Sequence, residues 1–342
     1  MSKIRLPHQL SVEAVSKTLI YGQPGLGKTT LAISSPSPLL LDFDRGVHRV
    51  DPKHLCPTVQ VESWDDVLDV LNEDLSQFRT LVIDTAGKML DFMSAYLIKQ
   101  DPKLGKRDGS LTLPGYGARK SMFVNFLSRV SMMGKHLVFV AHEKEEKDGE
   151  TKIIRPEIGG SSAGDLIKEL DLVGYMEAIG KERTISFDPC EKFYAKNTCN
   201  LPAVIKLPNV KVAANTTMST IIKGYQESLK ERQQMSVDYS SFIDLIAEQA
   251  SSIVDAKTAN EVVEWAKGCD THIWDSKLQA SRMIKVRADE LQLVFDRSTM
   301  AYVDPVKEEP KQEPKPEEAK EVKSEKKSTK TAKQKAEVNA AG

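Results

Sequence analysis

The segment Gly22-Gln-Pro-Gly-Leu-Gly-Lys-Thr-Thr30 fits the phosphate-loop pattern GxxxxGK[ST] at every fixed position. The residues Lys17–Tyr21 before it are typical of a short buried strand, and Thr30–Ile33 are typical of the start of a helix. In such a strand–loop–helix unit, glycines let the backbone amides close around a polyphosphate, and the helix N-terminus adds its positive end. The segment therefore predicts an α/β fold that binds ATP or GTP.

The residues of this loop and one later strand are expected to hold the cofactors. Lys28 can reach the β- and γ-phosphates as a point charge, and the Thr29 hydroxyl can bind Mg²⁺. The apolar strand that starts at Thr80 ends in Asp84, as in the Walker B arrangement, where a carboxylate holds Mg²⁺. We therefore expect ATP and Mg²⁺, with Thr29 and Asp84 at the metal. The predicted cofactor-binding residues are Gly22, Gln23, Pro24, Gly25, Leu26, Gly27, Lys28, Thr29 and Thr30.

Short apolar segments alternate with helical patterns between residues 17 and 207, which predicts a mostly parallel sheet flanked by helices. The first strand candidates are Thr18–Tyr21, Pro38–Asp42, Thr58–Val61, Thr80–Asp84 and His136–Ala141. Three later candidates, predicted as an antiparallel extension, are Leu172–Ala178, Arg183–Phe187 and Phe193–Lys196. The predicted helices between them include Trp64–Leu75 and Ser121–Met133. We assign residues 1–210 to this core.

The rest of the chain has a different pattern. Between residues 217 and 300, apolar residues recur at helical spacing only, which predicts a small helical region. Residues 304–342 are rich in Lys, Glu, Pro and Ala and contain no aromatic residue, a composition that predicts a disordered tail.

The overall composition excludes several classes of protein. The net charge is −1, so any contact with nucleic acid requires a local basic patch. No apolar run approaches the roughly 20 residues that span a bilayer, and the first residues do not form a signal peptide. We expect a cytoplasmic protein without membrane contact.

Carboxylates follow the second predicted strand, which ends at Asp42. ATP hydrolysis requires a base that orients water opposite the leaving phosphate, and Asp44 is our candidate for that role. Asp42, Arg45 and Glu62 remain alternatives. A structural alternative is that Asp42 and Asp44 cap the turn leading to Gly46.

His142 follows another apolar strand, His136–Ala141. A hydrogen-bond donor at this strand end can sense the γ-phosphate and pass its presence to the next segment. We predict this sensor role for His142; the alternative is an ordinary histidine at the end of a strand.

Two polar segments interrupt the alternation, Asp101–Gly117 and Glu143–Gly160. Single-stranded nucleic acid is bound by basic grooves with stacking platforms. Both segments contain clustered cations, so we predict two DNA-binding loops; a solvated charged surface is the alternative. The predicted DNA-binding residues are Lys103, Lys106, Arg107, Tyr116, Arg119, Lys120, Lys144, Lys152 and Arg155.

In this order the motifs resemble the RecA-like recombinase core and, more closely, the phage ATP-binding single-strand annealing proteins of the Sak group. The segments LIYGQPGLGKTT, LLLDFDRG, LVIDTAGKM, LPGYGARKS, VFVAHE and RPEIGGSSAGDLIKELDLVGYM carry the resemblance, which covers roughly residues 3–208. It implies a RecA-like P-loop ATPase core in which Asp44 takes the place of the catalytic carboxylate and His142 that of the sensor. The two charged loops would face the axis of a ring or filament.

The segment Tyr194–Pro202 resembles the Lys-x-Arg finger hairpin of RecA-like hexameric helicases, which reaches ATP bound to a neighbouring subunit. Lys196 matches the first position, and Thr198 stands where the arginine is expected. An exposed hairpin lysine is the alternative for Lys196, and Arg155, Lys168, Arg183 or Lys192 can substitute as the finger. With this addition, the predicted catalytic residues are Lys28, Asp44, Asp84, His142 and Lys196.

The resemblance implies an ATP-hydrolysing phage recombination protein, acting in the cytoplasm of the host, that binds single-stranded DNA and promotes annealing or strand exchange. The expected partners are single-stranded DNA, further copies of the chain, and a single-strand-binding or replication protein. The alternative is an ATPase that loads or remodels a replication protein, as a helicase loader does.

Overall fold

The structure, a computed structural model, describes residues 15–148, 151–159, 167–269 and 276–305. The chain divides into two compact units, one made mainly of residues up to Ile246 and the other mainly of residues from Ala247 on. The first unit thus continues beyond residue 210, where the predicted core ends. Residues 306–342, nearly all of the predicted tail, lie outside the described residues, as do residues 149, 150 and 160 of the second predicted DNA-binding loop.

The first unit is built on one large sheet with helices on both faces. Its strands are β1 (Lys17–Gly22), β2 (Pro38–Asp42), β3 (Thr58–Gln60), β4 (Thr80–Asp84), β5 (His136–Asp148), β6 (Thr151–Pro156), β7 (Leu172–Ile179), β8 (Glu182–Ser186), β9 (Lys196–Asn197) and β10 (Val204–Leu207). Its helices are α1 (Lys28–Ala32), α2 (Trp64–Val70), α3 (Ala86–Gln100), α4 (Leu113–Met132) and the first part of α5 (Thr217–Ser251).

The strand order is β10-β8-β7-β1-β5-β4-β2-β3, and the strands from β7 to β3 are parallel. One strand, β5, therefore lies between β1, which precedes the phosphate loop, and β4, which ends in Asp84. Because the carboxyl ends of parallel strands meet at one edge of a sheet, the ends of β1, β5, β4 and β2 form a common edge. The predicted fold class, a mostly parallel sheet flanked by helices, is confirmed.

The strand alternation distributes the core over the two faces of the sheet. Leu19, Leu81 and Phe139 face a cluster that includes residues of α2, α3 and α4. Ile20, Val82 and Val138 face the other cluster, which includes residues of α1 and the first turns of α5. The strands at the centre are buried on both sides, as expected for parallel strands, and this packing fixes the positions of their carboxyl ends.

The prediction for β7 was partly wrong. The segment was predicted as the start of an antiparallel extension, but β7 pairs in parallel with β1, and only β8, β9 and β10 form antiparallel pairs. Its first five residues are all buried, which is typical of a strand with both faces covered.

The two predicted loops are more regular than their composition suggested. The second forms a hairpin in which β5 continues as Glu143–Asp148 and pairs with β6. Opposite charges on the two strands compensate each other there, so a polar sequence still forms a ladder. The end of the first predicted loop is the start of α4, where Pro114 is tolerated in the first turn and Thr112 caps the helix.

The second unit contains the end of α5, α6 (Ala256–Gly268), α7 (Ser276–Glu290) and a hairpin of β11 (Val294–Asp296) with β12 (Ala301–Val303). The β11–β12 hairpin therefore departs from the helical pattern predicted for residues 217–300. The hairpin is held by Asn260, whose side chain exchanges two hydrogen bonds with the backbone of Tyr302, at 2.8 and 2.9 Å. None of the helices in the described part of the chain combines the length and the apolar character that crossing a bilayer requires.

Candidate nucleotide-binding site

The loop between β1 and α1 has the backbone of a phosphate cradle. Gly25 and Gly27 have φ angles of 80° and 86°, in the left-handed region that favours glycine. At Gly22 a Cβ atom would lie 2.3 Å from the carbonyl oxygen of Met176, so β7 packs directly against the loop. The predicted loop residues, from Gly22 to Thr30, therefore lie together between β1 and the first turn of α1.

Lys28 lies across the mouth of this loop. Its ammonium donates to the carbonyl oxygens of Gly22, at 2.9 Å, and Gln23, at 2.8 Å. Burial lowers the pKa of Lys28, while the nearby carboxylates of Asp84 and Glu143 act to raise it. The ammonium is thus held close to the cradle in a poorly hydrated place, where its attraction to a phosphate is strong.

The Thr29 hydroxyl donates to Oδ2 of Asp84 at 2.5 Å, which joins the phosphate loop to the end of β4. Burial raises the pKa of Asp84 from 3.8 to about 6, and the carboxylates of Asp44 and Asp42 act in the same direction. A hydroxyl and a carboxylate are hard oxygen ligands of the kind Mg²⁺ prefers, and a divalent cation would compensate this charge. The two residues fit the metal role predicted for them, and the metal when bound would stabilise charge on the phosphates.

Asp42 and Asp44 have different environments. The Asp42 carboxylate is buried and accepts hydrogen bonds from the amides of Gly46 and Val47, both at 3.0 Å. Asp42 thus caps the turn that leads to Gly46, as the alternative to a catalytic role proposed from the sequence. Asp44 is partly exposed, lies 3.8 Å from Arg49, and faces the site closely enough to affect the pKa of Asp84. Of the two, Asp44 is the one free to orient a water molecule.

His142 lies opposite Gly22 in the pairing of β1 with β5. Burial lowers its pKa, Lys28 lowers it further, and Glu157 and Asp44 oppose the shift. Its Nδ1 atom is buried and has no hydrogen-bond partner among the described residues. A neutral imidazole with an unsatisfied nitrogen beside the phosphate loop can exchange a hydrogen bond with a bound phosphate.

Glu143, the next residue, was missed by the sequence reasoning. It lies near enough to Lys28 to act on its pKa, and its Oε2 atom is buried without a partner among the described residues. Burial and the Glu143 carboxylate together raise the pKa of Tyr175. Glu143 is therefore a second carboxylate that can orient water. The signal in the sequence was an acid directly after a strand end, in the pair His142–Glu143.

Arg183 on β8 is the second residue that was not assigned to this site. Its Nη1 atom lies 3.1 Å from the position that a Cβ atom on Gly27 would take, and the residue is exposed. It had been considered only as a finger that reaches a neighbouring subunit. The structure instead places the guanidinium against the phosphate loop of its own chain, where it can bind a phosphate.

Lys196 has a different position from the one expected of a finger. Its ammonium donates to the backbone carbonyls of Lys168, at 3.1 Å, and Leu170 in its own chain. The Thr198 hydroxyl donates to the carbonyl of Asp171 at 3.0 Å. The contacts of Lys196 therefore favour a structural role that holds β9 next to β7.

The first group of predicted DNA-binding residues contains both exposed and buried side chains. Lys103, Lys106, Arg107 and Lys120 are exposed. Arg119 is only 5% exposed and donates to Oγ of Ser94, at 3.2 Å, and to the carbonyl of Gly159, at 3.0 Å. Its guanidinium also lies 5.1 Å from the ring centre of Tyr116. Arg119 thus connects α3, α4 and the segment after β6, and its burial removes it from any DNA-binding surface.

The second group lies on the β5–β6 hairpin, where each predicted cation has an acidic neighbour. Lys144 lies 2.5 Å from Glu146, Arg155 lies 3.1 Å from the same carboxylate, and Lys152 lies 2.9 Å from Glu145. The cations are therefore present at the predicted place, but much of their charge is compensated. This reduces the attraction that the hairpin alone can exert on a phosphate backbone.

A parallel sheet with a phosphate loop, a Walker B carboxylate and a strand between them defines a P-loop nucleotide-binding protein. Residues 15–199 match the AAA domain family, and the chain belongs to that family. The chain is also similar to the solved structure of the RadB recombinase, with 14% identity and a TM-score of 0.31 over 50% of this chain and 79% of that chain. No curated protein matches the sequence.

Proposed function

We propose that this protein hydrolyses ATP with Mg²⁺ and uses the bound nucleotide to control its binding of single-stranded DNA. The observation that carries the proposal is the continuity of β5. Its first part pairs with β1 and ends at His142, beside the phosphate loop, and its second part forms the charged hairpin with β6. In the proposed mechanism, this continuous strand transmits a change at the phosphate to the hairpin.

Two carboxylates compete for the role of the residue that orients water, Asp44 and Glu143. Both act electrostatically on residues of the phosphate loop or on Asp84. Asp44→Asn and Glu143→Gln remove the negative charge and keep the shape. The variant that loses turnover while it still binds ATP identifies the base, because a positioning or structural residue also changes affinity or stability.

The exposed cations Lys103, Lys106, Arg107 and Lys120 support DNA binding by the first segment. They lie within one stretch that includes the start of α4, and Arg119 joins this helix to the segment that follows the hairpin. Clustered cations of this kind bind the phosphate backbone without sequence preference. In the proposed mechanism both segments bind one strand, and hydrolysis releases it.

The proposed biological role is recombination in a phage-infected cell, by annealing of single strands or by strand exchange, in the cytoplasm of the host. The protein would act as a ring or filament of identical subunits and would cooperate with a single-strand-binding or replication protein. These parts of the proposal rest on the resemblance of the motifs to the Sak group.

A second candidate is an ATPase that loads or remodels a replication protein. The ion pairs on the β5–β6 hairpin favour it, because a surface of alternating, compensated charges suits a protein partner better than a polyanion.

The test is the rate of ATP hydrolysis with and without single-stranded DNA at two salt concentrations, for the wild type and for Lys28→Ala. We expect DNA to stimulate hydrolysis, less so at high salt, and the variant to lose both hydrolysis and ATP binding. Intact basal hydrolysis without any stimulation by DNA would contradict the DNA-binding role and favour remodelling. Absence of ATP binding in the wild type would contradict the nucleotide site itself.

A matched pair of variants tests the first DNA segment. Lys106→Ala with Arg107→Ala removes two exposed cations there, and Lys223→Ala removes an exposed cation on α5. Only the first is expected to weaken binding of an oligothymidylate, by about tenfold at low salt, and to lower the salt dependence. ATP binding should not change in either variant. If both variants bind the oligothymidylate equally weakly, the DNA contact is not localised in the segment that contains Lys106 and Arg107.

A further inference from the structure

The second unit contains a groove of about 560 Å³ between α6, α7 and the β11–β12 hairpin. Its floor is apolar and includes Val263, Ile284, Leu293 and Phe295. Phe295 packs edge-to-face against Tyr302, with 5.2 Å between the ring centres. The volume is that of a site that takes a small ligand or one or two bulky side chains.

Cations surround this apolar floor. Four of the lining residues are basic, Lys267, Lys277, Lys285 and Arg297, and one is acidic, Asp289. Lys267 forms an ion pair with Glu264 at 2.6 Å. Lys277 donates to the backbone carbonyl of Lys267, a neutral partner that does not compensate its positive charge. Within the part of the chain that the structure describes, no carboxylate forms an ion pair with Lys285 or Arg297. The groove is therefore apolar in its centre and positive at its edges.

We propose that this groove binds an acidic peptide of a partner protein that inserts a bulky apolar side chain. The apolar floor takes the side chain, and the cations pair with the flanking carboxylates. A single strand of DNA fits less well, because strands are bound in grooves that follow the backbone over several nucleotides, whereas this groove is short and bounded by a hairpin.

The chain's own continuation is a poorer occupant. Residues 306–322 begin two residues after β12, but they contain six glutamates against four lysines and no aromatic residue. Their net charge is therefore small, and their largest apolar side chain is that of valine. A peptide in trans can supply both the aromatic anchor and an uninterrupted acidic flank.

The test uses the full-length protein and fluorescence anisotropy of a labelled peptide, Asp-Glu-Asp-Phe-Asp-Glu, with a second peptide that has Ser in place of Phe. We expect the first to bind with micromolar affinity and the second to bind at least about tenfold more weakly. Lys285→Glu with Arg297→Glu should weaken binding of the first by at least about tenfold, which corresponds to about 1.4 kcal/mol. Arg282→Glu, an exposed residue of α7 that does not line the groove, is the matched control and should leave binding unchanged.

Each other outcome overturns the proposal. A peptide that does not bind, or binds equally well to Lys285→Glu with Arg297→Glu, excludes the groove as its site. If the peptide does not bind, and a labelled oligothymidylate binds the wild type but not Lys285→Glu with Arg297→Glu, the ligand is nucleic acid. If the peptide binds only after Glu308, Glu309 and Glu313 are changed to Gln in the intact chain, the tail is the occupant. If the protein self-associates and Lys285→Glu with Arg297→Glu abolishes this self-association, the occupant of the groove is a second copy of the chain. Thermal unfolding of all variants confirms that they are folded.

Discussion

Replacing Asp84 with asparagine should stabilise the nucleotide-free protein while it removes function. Burial raises the pKa of this carboxyl from 3.8 to about 6, so the folded state holds the ionised form less favourably than the unfolded chain does. A shift of about two units corresponds to about 3 kcal/mol, which the folded state loses as the pH rises from below 4 to above 6. Asparagine retains an oxygen that can accept the Thr29 hydrogen bond, without the charge.

The expected gain at pH 7.5 is therefore up to about 3 kcal/mol in the free energy of unfolding, or roughly 6 to 12 °C in the midpoint of the first unit. The gain should shrink as the pH is lowered to 4 and below, because Asp84 is then neutral in the folded wild type and progressively becomes neutral in the unfolded chain as well. Urea unfolding at several pH values without nucleotide measures it. Asp69→Asn, an exposed change on α2, is the matched control and should have almost no effect.

The same variant should lose the part of ATP binding and of hydrolysis that depends on Mg²⁺, because Asp84 is the carboxylate of β4 that we propose as a metal ligand. A stability gain together with a functional loss identifies a buried charge that is retained for function. If Asp84→Asn instead destabilised the protein equally at pH 4 and pH 7.5, the Asp84 carboxylate would stabilise the fold. That result would refute the inference that its burial destabilises the folded state.

Three further substitutions have matched controls or defined partners. Gly22→Ala should cost at least about 2 kcal/mol and abolish ATP binding, because its Cβ would lie 2.3 Å from a backbone oxygen of β7; Gly25→Ala, with open space around its Cβ, should cost only about 1 kcal/mol in urea unfolding. Arg183→Ala should raise the Kd for ATP by roughly three- to tenfold in calorimetry without a change in stability, whereas the exposed Lys181→Ala should not. Arg119→Leu should lower the free energy of unfolding by roughly 2 kcal/mol, since it leaves the Gly159 carbonyl without its donor; an unchanged midpoint would show that this link does not hold the segments together.

Much of the fold could be predicted because local signals were strong. The strand Thr80–Asp84 was predicted with its observed bounds, since three apolar residues end in a carboxylate before the capping residue Thr85. The contact between Thr29 and Asp84 also follows from the combination of two motifs, because a phosphate loop and a Walker B strand have one arrangement in a parallel sheet.

The contributions that were missed depend on which strands are neighbours, and this is not a local property. Glu143 enters the site because β5 lies next to β1, and Arg183 enters it because β8 is placed beside β7. The hairpin of β5 with β6 was read as a loop because its residues are charged on both strands. The burial of Arg119 is set by partners far along the chain, at Ser94 and Gly159, which no local pattern indicates.

The charges of the site imply that ATP binding is strongly coupled to the metal. The carboxylates of Asp84 and Glu143 act on Lys28, and that of Asp44 acts on Asp84. Among the described residues, Lys28 is the buried cation of the loop, and Arg183 lies at its edge. A triphosphate brings about four more negative charges into a region of low hydration, where like charges repel most strongly. The amides of the loop and two cations do not balance this total. We therefore expect nucleotide binding to require a divalent cation, which Thr29 and Asp84 are placed to hold. Burial is the main cause of the raised pKa of Asp84, and the neighbouring carboxylates of Asp44 and Asp42 act in the same direction.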